Sequence, residues 1–460
     1  MIIKPPAPAV NTRAVLGTVL VAVFVSSLDL FVVNVALPEV GRDFGGTSLG
    51  TLSWVLNAYA IVFAALLVIS GRLADRSGHR RGFIVGLAVF TAGSVLCAVA
   101  PSVLFLIAAR VVQAAGAAAL LPTSLALLLA VTPPDRRAGA VRIWSATGAI
   151  AAALGPVAGG LLVELDWRWI FIINVPVGVA ALLVSRRVLP DVRDQQPGAL
   201  PDLLGAALLA LAVGTLALGL VRSNDWGWGS PRVIGGFVAA VVLGYWFLRR
   251  SARHPSPIVE LPLLRTPAFG PATIAALLFT AAFSAMVLSA ALWTQNGWGY
   301  SALRTGLALA PGPLMVPVLA VAVGPLVRRV GAGPVAAAGN LVLGAGVACW
   351  LAGVGPEPHY VTDFLPGLIL TGLGVGLALP TLVAAATSAL PAHRLATGSG
   401  LLNTGRQVGT VVGVAVLVSV IGSPRTSAAA LDAFQNGWVA ILVVCLLGAV
   451  AALLIRRPQQ

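Results

Sequence analysis

Charge is what this chain has least of. Only 10% of its 460 residues are Asp, Glu, Lys or Arg, against about a quarter in soluble globular domains. A chain whose whole surface faces water is excluded. Lysine occurs once, at Lys4, and Asp and Glu together number 15. The histidines His79, His254, His359 and His393 are scattered in loops, and Cys97, Cys349 and Cys445 stand singly in apolar runs. Neither set has metal-ligand spacing, so no metal is expected. A phosphate-cradling glycine loop followed by Lys and Ser or Thr is absent, so ATP is not the expected energy source. No catalytic constellation of an enzyme and no need for a cofactor can be read from the residues. The short alternating segments of a transmembrane β-barrel are missing too.

What is present is apolar sequence, 58% of the residues. Runs of about 20 apolar residues, each long enough to cross a hydrocarbon layer of about 30 Å, recur from end to end. Backbone polar groups in lipid must be satisfied internally, so the runs read as helices of an all-α membrane protein. We expect 14 transmembrane helices, at 14–38, 53–73, 83–100, 102–125, 139–163, 168–185, 203–221, 232–248, 270–294, 305–327, 334–354, 364–388, 399–421 and 437–455. The first apolar run is too long for a cleavable leader and lacks a small-residue cleavage site before Pro38, so it reads as the first span.

The net charge of +14 is topological. With both termini placed in the cytoplasm, the basic residues concentrate in the inner segments, among them Arg72, Arg76, Arg80, Arg81, Arg136, Arg137, Arg249, Arg250, Arg328 and Arg329. Only Arg42, Arg168, Arg222, Arg232, Arg304 and Arg425 fall outside, and Arg110 and Arg406 fall within spans. This bias fixes orientation by the positive-inside rule. It gives no reason to expect nucleic acid.

The chain repeats itself weakly. Gly71-Arg72-Leu73-Ala74-Asp75-Arg76-Ser77-Gly78 matches Gly324 to Gly331, Leu121-Pro122-Thr123 matches Leu379-Pro380-Thr381, and Pro134, Arg137 and Gly148 match Pro391, Arg394 and Gly405, all at nearly one offset. The offset spans eight helices, and an even shift keeps orientation, so the repeats are parallel. Spans 1–6 then correspond to spans 9–14, with spans 7 and 8 inserted. Parallel repeats about an axis along the membrane normal are the layout of the major facilitator fold, with substrate sites near the midplane. The expected units are a six-helix bundle at 1–188, two inserted helices with cytoplasmic flanks at 189–265, and a second six-helix bundle at 266–460.

Six stretches carry a family resemblance. They are Leu28-Asp29-Leu30-Phe31-Val32-Val33-Asn34-Val35-Ala36-Leu37-Pro38 in span 1, Trp54 with Asn57-Ala58-Tyr59 in span 2, and Gly71 to Phe83 in the next inner loop. Arg110-Val111-Val112-Gln113 follows in span 4, Gly155-Pro156-Val157-Ala158-Gly159-Gly160 in span 5 and Trp167 to Gly178 in span 6. With these the chain resembles a fourteen-span drug:proton antiporter of the major facilitator superfamily. It departs from the usual pattern at Phe31 (often Thr), His79 (usually Arg), Ala114 (often Gly) and Ala151 (usually Gly). The resemblance implies export against protons, with Gly155, Pro156, Gly159 and Gly160 as the antiporter motif.

The residues have their own physics. Asp29 is the only acid inside an expected span, and a carboxyl in lipid is costly and a functional hypothesis by default. It lies nine residues before Pro38, or about 13 Å, at a depth similar to that of Arg110. Burial disfavours the charged form of a carboxyl and a nearby cation favours it, so access and partner set its hold on a proton. Asp29 and Arg110 are therefore the expected proton-coupling pair; the competing reading is a structural bond to backbone or to Asn34. Gln113, one turn beyond Arg110, either touches substrate or holds Arg110. Asn34, Gln113 and Asn174, with the stripe Phe279, Phe283, Met286 and Trp293 in span 9, form the expected substrate cavity, although such stripes also serve as packing. Arg406 reads as snorkelling to the interface. On the inner side, Gly71, Asp75, Arg76, Gly78, Arg80 and Asp135 are expected to form a charge-latched gate. The second half has Arg328 at the position of Asp75, so that latch is one-sided. In span 5 the glycines permit close helix approach and Pro156 frees a carbonyl, which suits a hinge or plain packing.

The leading expectation is a proton-coupled antiporter exporting lipophilic drugs or antibiotics across the cytoplasmic (inner) membrane, as a multi-pass monomer in the lipid bilayer. The alternatives are a carrier of a lipid, siderophore or other metabolite, and a membrane sensor without transport.

Overall fold

The computed structural model describes residues 12–192, 200–388, 390, 395–422, 424 and 426–455. Lys4, Pro391, His393, Arg394 and Arg425, used above, lie outside them. The first part of the chain forms α1 (Thr12–Asp43), α2 (Leu49–Ser77), α3 (His79–Ala98), α4 (Val103–Val131), α5 (Arg137–Leu165), α6 (Trp169–Ile172) and α7 (Asn174–Val188). Next come α8 (Leu203–Val221), α9 (Ser223–Trp226), α10 (Pro231–Ser251) and α11 (Leu261–Leu264). The remainder forms α12 (Phe269–Leu292), α13 (Ala302–Leu309), α14 (Pro311–Val330), α15 (Ala332–Gly353), α16 (Leu365–Ser388), α17 (Leu395–Ile421) and α18 (Ser427–Leu453).

Local chemistry starts these helices where the polar residues fall. The hydroxyls of Ser48, Ser102, Ser230, Ser301 and Thr426 and the carboxylate of Asp202 each accept the backbone N–H three residues on. Each thereby satisfies a donor that the first helical turn leaves free. Pro231 occupies the first turn of α10, where its missing N–H costs nothing.

Among the described residues, thirteen helices are long and apolar enough to cross a membrane, and no strand occurs. Span 10 departs from a single helix. Instead of one helix over 305–327 the chain makes α13 and α14, meeting at Ala310 and Pro311. Pro311 has no N–H to continue the ladder, and Ala310 closes α13 by bonding back to Leu307 instead. Span 6 is likewise divided into α6 and α7 around Ile173, just before Pro176.

The internal repeat is visible as packing. In the first half α1 packs on α5, α2 on α4 and α3 on α4; in the second, α12 packs on α17, α14 on α16 and α15 on α16. Gly78 and Gly331, aligned by the sequence repeat, turn the chain between consecutive helices with φ of 102° and 104°. Only glycine adopts that region without strain.

The inserted hairpin straddles the seam between the halves. α8 packs on α2 of the first and α17 of the second, while α10 packs on α8 and leaves most of its surface, including Val241 and Trp246, exposed. The hairpin is tied at both ends. Asp202, fully buried, receives Arg250 Nε at 2.6 Å, and Arg222 reaches Thr51 at 3.1 Å while Asn224 donates to the Ser419 carbonyl at 2.6 Å. Arg72 pairs with Glu260 at 3.8 Å and also hydrogen-bonds Ser256.

At the end of the molecule that holds the α1–α2 turn, the halves meet through α5. On one side Gly155 and Gly159 face α1: a methyl on Gly155 would lie 2.5 Å from Phe31 Cβ, and one on Gly159 3.0 Å from the Val32 carbonyl oxygen. On the other side Gly160 faces α13, where a methyl would lie 2.5 Å from the Ala302 carbonyl oxygen, and Gly306 of α13 abuts the Pro156 carbonyl. Glu164 accepts the Leu303 N–H at 3.2 Å, and Gln295 donates to the Val35 carbonyl at 2.9 Å.

Candidate functional site

Four helices of the first half converge on one polar cluster in an otherwise apolar interior. α1 supplies Asp29, α4 supplies Arg110 and Gln113 one turn apart, α7 begins with Asn174, and α3 contributes Ser94. All five are buried, Asp29 and Asn174 to 1% exposure and the others to 0%. One Asp29 oxygen receives Arg110 Nη1 at 2.5 Å; the other receives Gln113 Nε2 at 2.8 Å and Asn174 Nδ2 at 2.9 Å. Arg110 also donates to Gln113 Oε1 at 2.6 Å and, through Nε, to the Val55 carbonyl of α2 at 3.2 Å. Its guanidinium lies 4.1 Å from the centre of the Tyr59 ring. Ser94 accepts from Gln113 at 2.8 Å and from Asn174 at 3.3 Å, and donates to the Phe90 carbonyl at 3.0 Å.

Among the described residues this is the one ion pair whose two side chains are both fully buried. Ion pairs taken out of water recover their desolvation cost only with good geometry and additional hydrogen bonds. Here Asp29 accepts three donors, while Arg110 Nη2 is buried with no partner, so the carboxylate is the better satisfied member. Removing one partner from such a pair costs about 3–5 kcal/mol, which makes the cluster sensitive to any change in the charge of one member. A cleft of about 300 Å3 between α1, α5 and α7 is lined by Phe24, Leu28, Thr147 and Asn174 among others. One member of the carboxylate's hydrogen-bond shell therefore borders open space.

The structure brings Asp29, Arg110, Gln113 and Asn174 together. It does not bring in Asn34, whose amide bonds the carbonyls of Leu30 and Phe31 on its own helix, both at 3.4 Å. Sequence reasoning missed Ser94, Tyr59 and the Val55 carbonyl. Tyr59 carried a signal, since it falls in the span-2 motif; a serine in an apolar run carries none.

Phe279, Phe283 and Met286 lie on α12. Phe279 stacks on Phe283 with ring centres 6.1 Å apart, and Phe283 faces Phe31 of α1 at 6.4 Å, so this part of the stripe reaches the meeting of the halves. Phe279 and Met286 are themselves buried, and Phe283 is partly exposed. Trp293 sits elsewhere, among Phe434 at 5.2 Å and Trp438 at 5.9 Å inside the second half. It is the packing residue that its helical spacing equally allowed.

At the α2–α3 turn, Gly71 lets α2 approach Pro122 of α4, where a methyl would lie 3.4 Å from Pro122 Cβ. Gly78 makes the turn into α3. His79 Nε2 lies 3.4 Å from Asp75, the His79 N–H bonds the Val192 carbonyl at 2.9 Å, and Arg80 donates to the Arg186 carbonyl. Arg76 is exposed on the same turn. Asp135 is exposed and lies 3.7 Å from its neighbour Arg136.

The family model described as Major Facilitator Superfamily matches residues 19–414. The chain is 34% identical to a probable actinorhodin transporter of Streptomyces coelicolor, over 92% of this chain and 75% of the relative. It is 35% identical to the cephamycin export protein CmcT of Amycolatopsis lactamdurans, over 94% and 89%. Among solved structures, a peptide transporter POT in complex with sulfate superposes with a TM-score of 0.69 at 18% identity, covering 95% of this chain and 94% of that one. At that identity the likeness concerns the fold.

Proposed function

The chain belongs to the major facilitator superfamily, and from that premise we propose that this multi-pass membrane transporter exports lipophilic drugs or antibiotics in exchange for protons. The relatives named for antibiotic transport and export support the cargo. We place the protein in the cytoplasmic membrane as a monomer, both termini inside, with α13 and α14 together making the tenth of fourteen crossings. The units are 1–188, 189–265 and 266–460.

The observation that carries the coupling is the buried Asp29–Arg110 pair together with its position on α1. Phe31 and Val32, within one turn of Asp29, are the residues against which Gly155 and Gly159 of α5 close, and Val35 accepts from Gln295 of the second half. Protonating Asp29 removes the charge that Arg110 Nη1 answers. Arg110 keeps Val55 and Gln113 as partners, while α1 loses its ionic tie to α4. The contacts that seal the outer ends are built on the same stretch of α1, so the state of the pair biases that seal. A proton taken up from outside as the cargo leaves is carried by the resealed transporter and released to the cytoplasm, where the pair re-forms for the next cargo. On the inner side, the cluster of Gly71, Asp75, Arg76, Gly78 and Arg80 serves as the opposing gate, with Asp135 nearby on the same face.

The test is drug susceptibility of an efflux-deficient host carrying wild type or Asp29→Asn. Wild type is expected to raise tolerance to some members of a panel of lipophilic antibiotics, and Asp29→Asn to lose most of that protection at equal expression. Equal protection by both removes Asp29 from the mechanism. Protection against no compound points to a metabolite carrier instead.

A further inference from the structure

One guanidinium in the membrane has no role in the account so far. Arg406 lies eleven residues into α17, about 16 Å from its start at 1.5 Å per residue, inside the apolar span Thr397–Ile421. Among the described residues no carboxylate pairs with it. Its Nη1 donates to Asn403 Oδ1 at 3.1 Å, and its Nε is buried with no partner. An unpaired intramembrane cation is expensive and is retained for function by default.

The helix shows where Arg406 points. Gly400 and Thr404 face α2: a methyl on Gly400 would lie 3.0 Å from Val68, and Thr404 bonds the Ala64 carbonyl at 3.3 Å. Gly405, Gly409 and Gly413 face Thr273, Leu277 and Ala281 of α12. Val408 and Val411 meet Leu209 and Val213 of α8. The remaining arc of α17, opposite α8 and flanked by α2 and α12, carries Ser399, Asn403, Arg406, Gln407 and Thr410, every one of them polar and partly exposed. α12, on one flank of this arc, also bears Phe283, which faces Phe31 of α1.

We propose that Arg406, with Asn403 and Gln407, is a binding subsite for an oxyanion group (carboxylate, sulfonate or phenolate) on the exported compound, so that the preferred cargo is an amphiphilic organic anion. This rests on the reading of the chain as an exporter and adds the charge of its cargo. A guanidinium presents paired donors that match an oxyanion, and Arg406 is partly exposed on a polar arc with no carboxylate to satisfy it.

The test uses two dyes that share an anilinonaphthalene core, 8-anilinonaphthalene-1-sulfonate and the uncharged N-phenyl-1-naphthylamine, titrated by fluorescence into the purified full chain in lipid nanodiscs. Arg406→Gln is expected to weaken the sulfonate about tenfold, as loss of a charged hydrogen bond should. Arg406→Lys should recover most of the loss, and the uncharged dye should bind every variant alike. The assignment is overturned if wild type binds no sulfonate saturably, if Arg406→Gln leaves the sulfonate unchanged, or if it weakens both dyes equally. Displacement of the dye by millimolar inorganic sulfate would mark a plain inorganic-anion site and overturn it as well. Binding is read without transport. A failure of Asp29→Asn to affect export would therefore strike the coupling reading alone, and a failure here would strike the cargo charge alone.

Discussion

Neutralising both members of the buried pair should do less damage to the fold than neutralising either one. Arg110→Gln leaves Asp29 in a 1%-exposed position with Gln113 and Asn174 as donors and no counter-charge. Asp29→Asn leaves a fully buried guanidinium. Each single change should cost about 3–5 kcal/mol, the price of stranding a buried charge. The double variant strands none. It loses the bond from Arg110 Nε to the Val55 carbonyl, about 1 kcal/mol net, and the stacking of the guanidinium over Tyr59, about 1 kcal/mol. Its expected loss is therefore about 2 kcal/mol, far short of the sum of the singles. The assay is unfolding of purified protein in mixed micelles by increasing dodecyl sulfate, followed by tryptophan fluorescence and circular dichroism, run as a double-mutant cycle. A double variant as unstable as the sum of the two singles would refute the reasoning, because the cluster would then be held by independent hydrogen bonds rather than by compensating charges. The double variant should also be folded and still fail to export.

The outer seal, the inner turn and the aromatic cluster give further expectations. Gly160→Ala or Gly306→Ala forces a methyl against the facing backbone and should disfavour the sealed state by about 1–3 kcal/mol. A cysteine placed at buried Ala302 should then react faster with an impermeant maleimide added outside, and unchanged labelling would count against the seal. Gly78→Ala must hold φ near 102° and should cost about 1–2 kcal/mol, read as a lower unfolding midpoint with diminished export; a neutral change would remove the turn from the inner gate. Trp293→Ala should cost about 3–5 kcal/mol while leaving the pattern of exported compounds unaltered, and a change of selectivity would return Trp293 to the cavity.

The legible part of this protein was the part set by hydrophobic length and by charge in the wrong place. Apolar runs located the helices because lipid tolerates no other backbone. A lone carboxyl and a lone arginine at matching depth foretold the Asp29–Arg110 contact. The glycines of span 5 announced a close approach, though not that α5 would be gripped on both faces, by α1 and by α13. The break at Ala310–Pro311 was harder to read, since prolines are common in membrane helices and only tertiary packing decides whether one kinks or ends a helix. Trp293 was ambiguous for a similar reason: helical spacing puts a side chain on a face without saying whether that face meets a cavity or Trp438. Arg406 was hard to place because its depth depends on where α17 enters the membrane, and that end of the helix carries no sharp compositional mark.

Whether Asp29 exchanges its proton for cargo is tested most directly in proteoliposomes loaded with a pH-sensitive dye. Adding an exported compound to wild type is expected to drive a proton flux of opposite direction, absent from Asp29→Asn even though that variant still exchanges labelled for unlabelled compound. A substrate-dependent proton flux of equal size in Asp29→Asn would contradict the account.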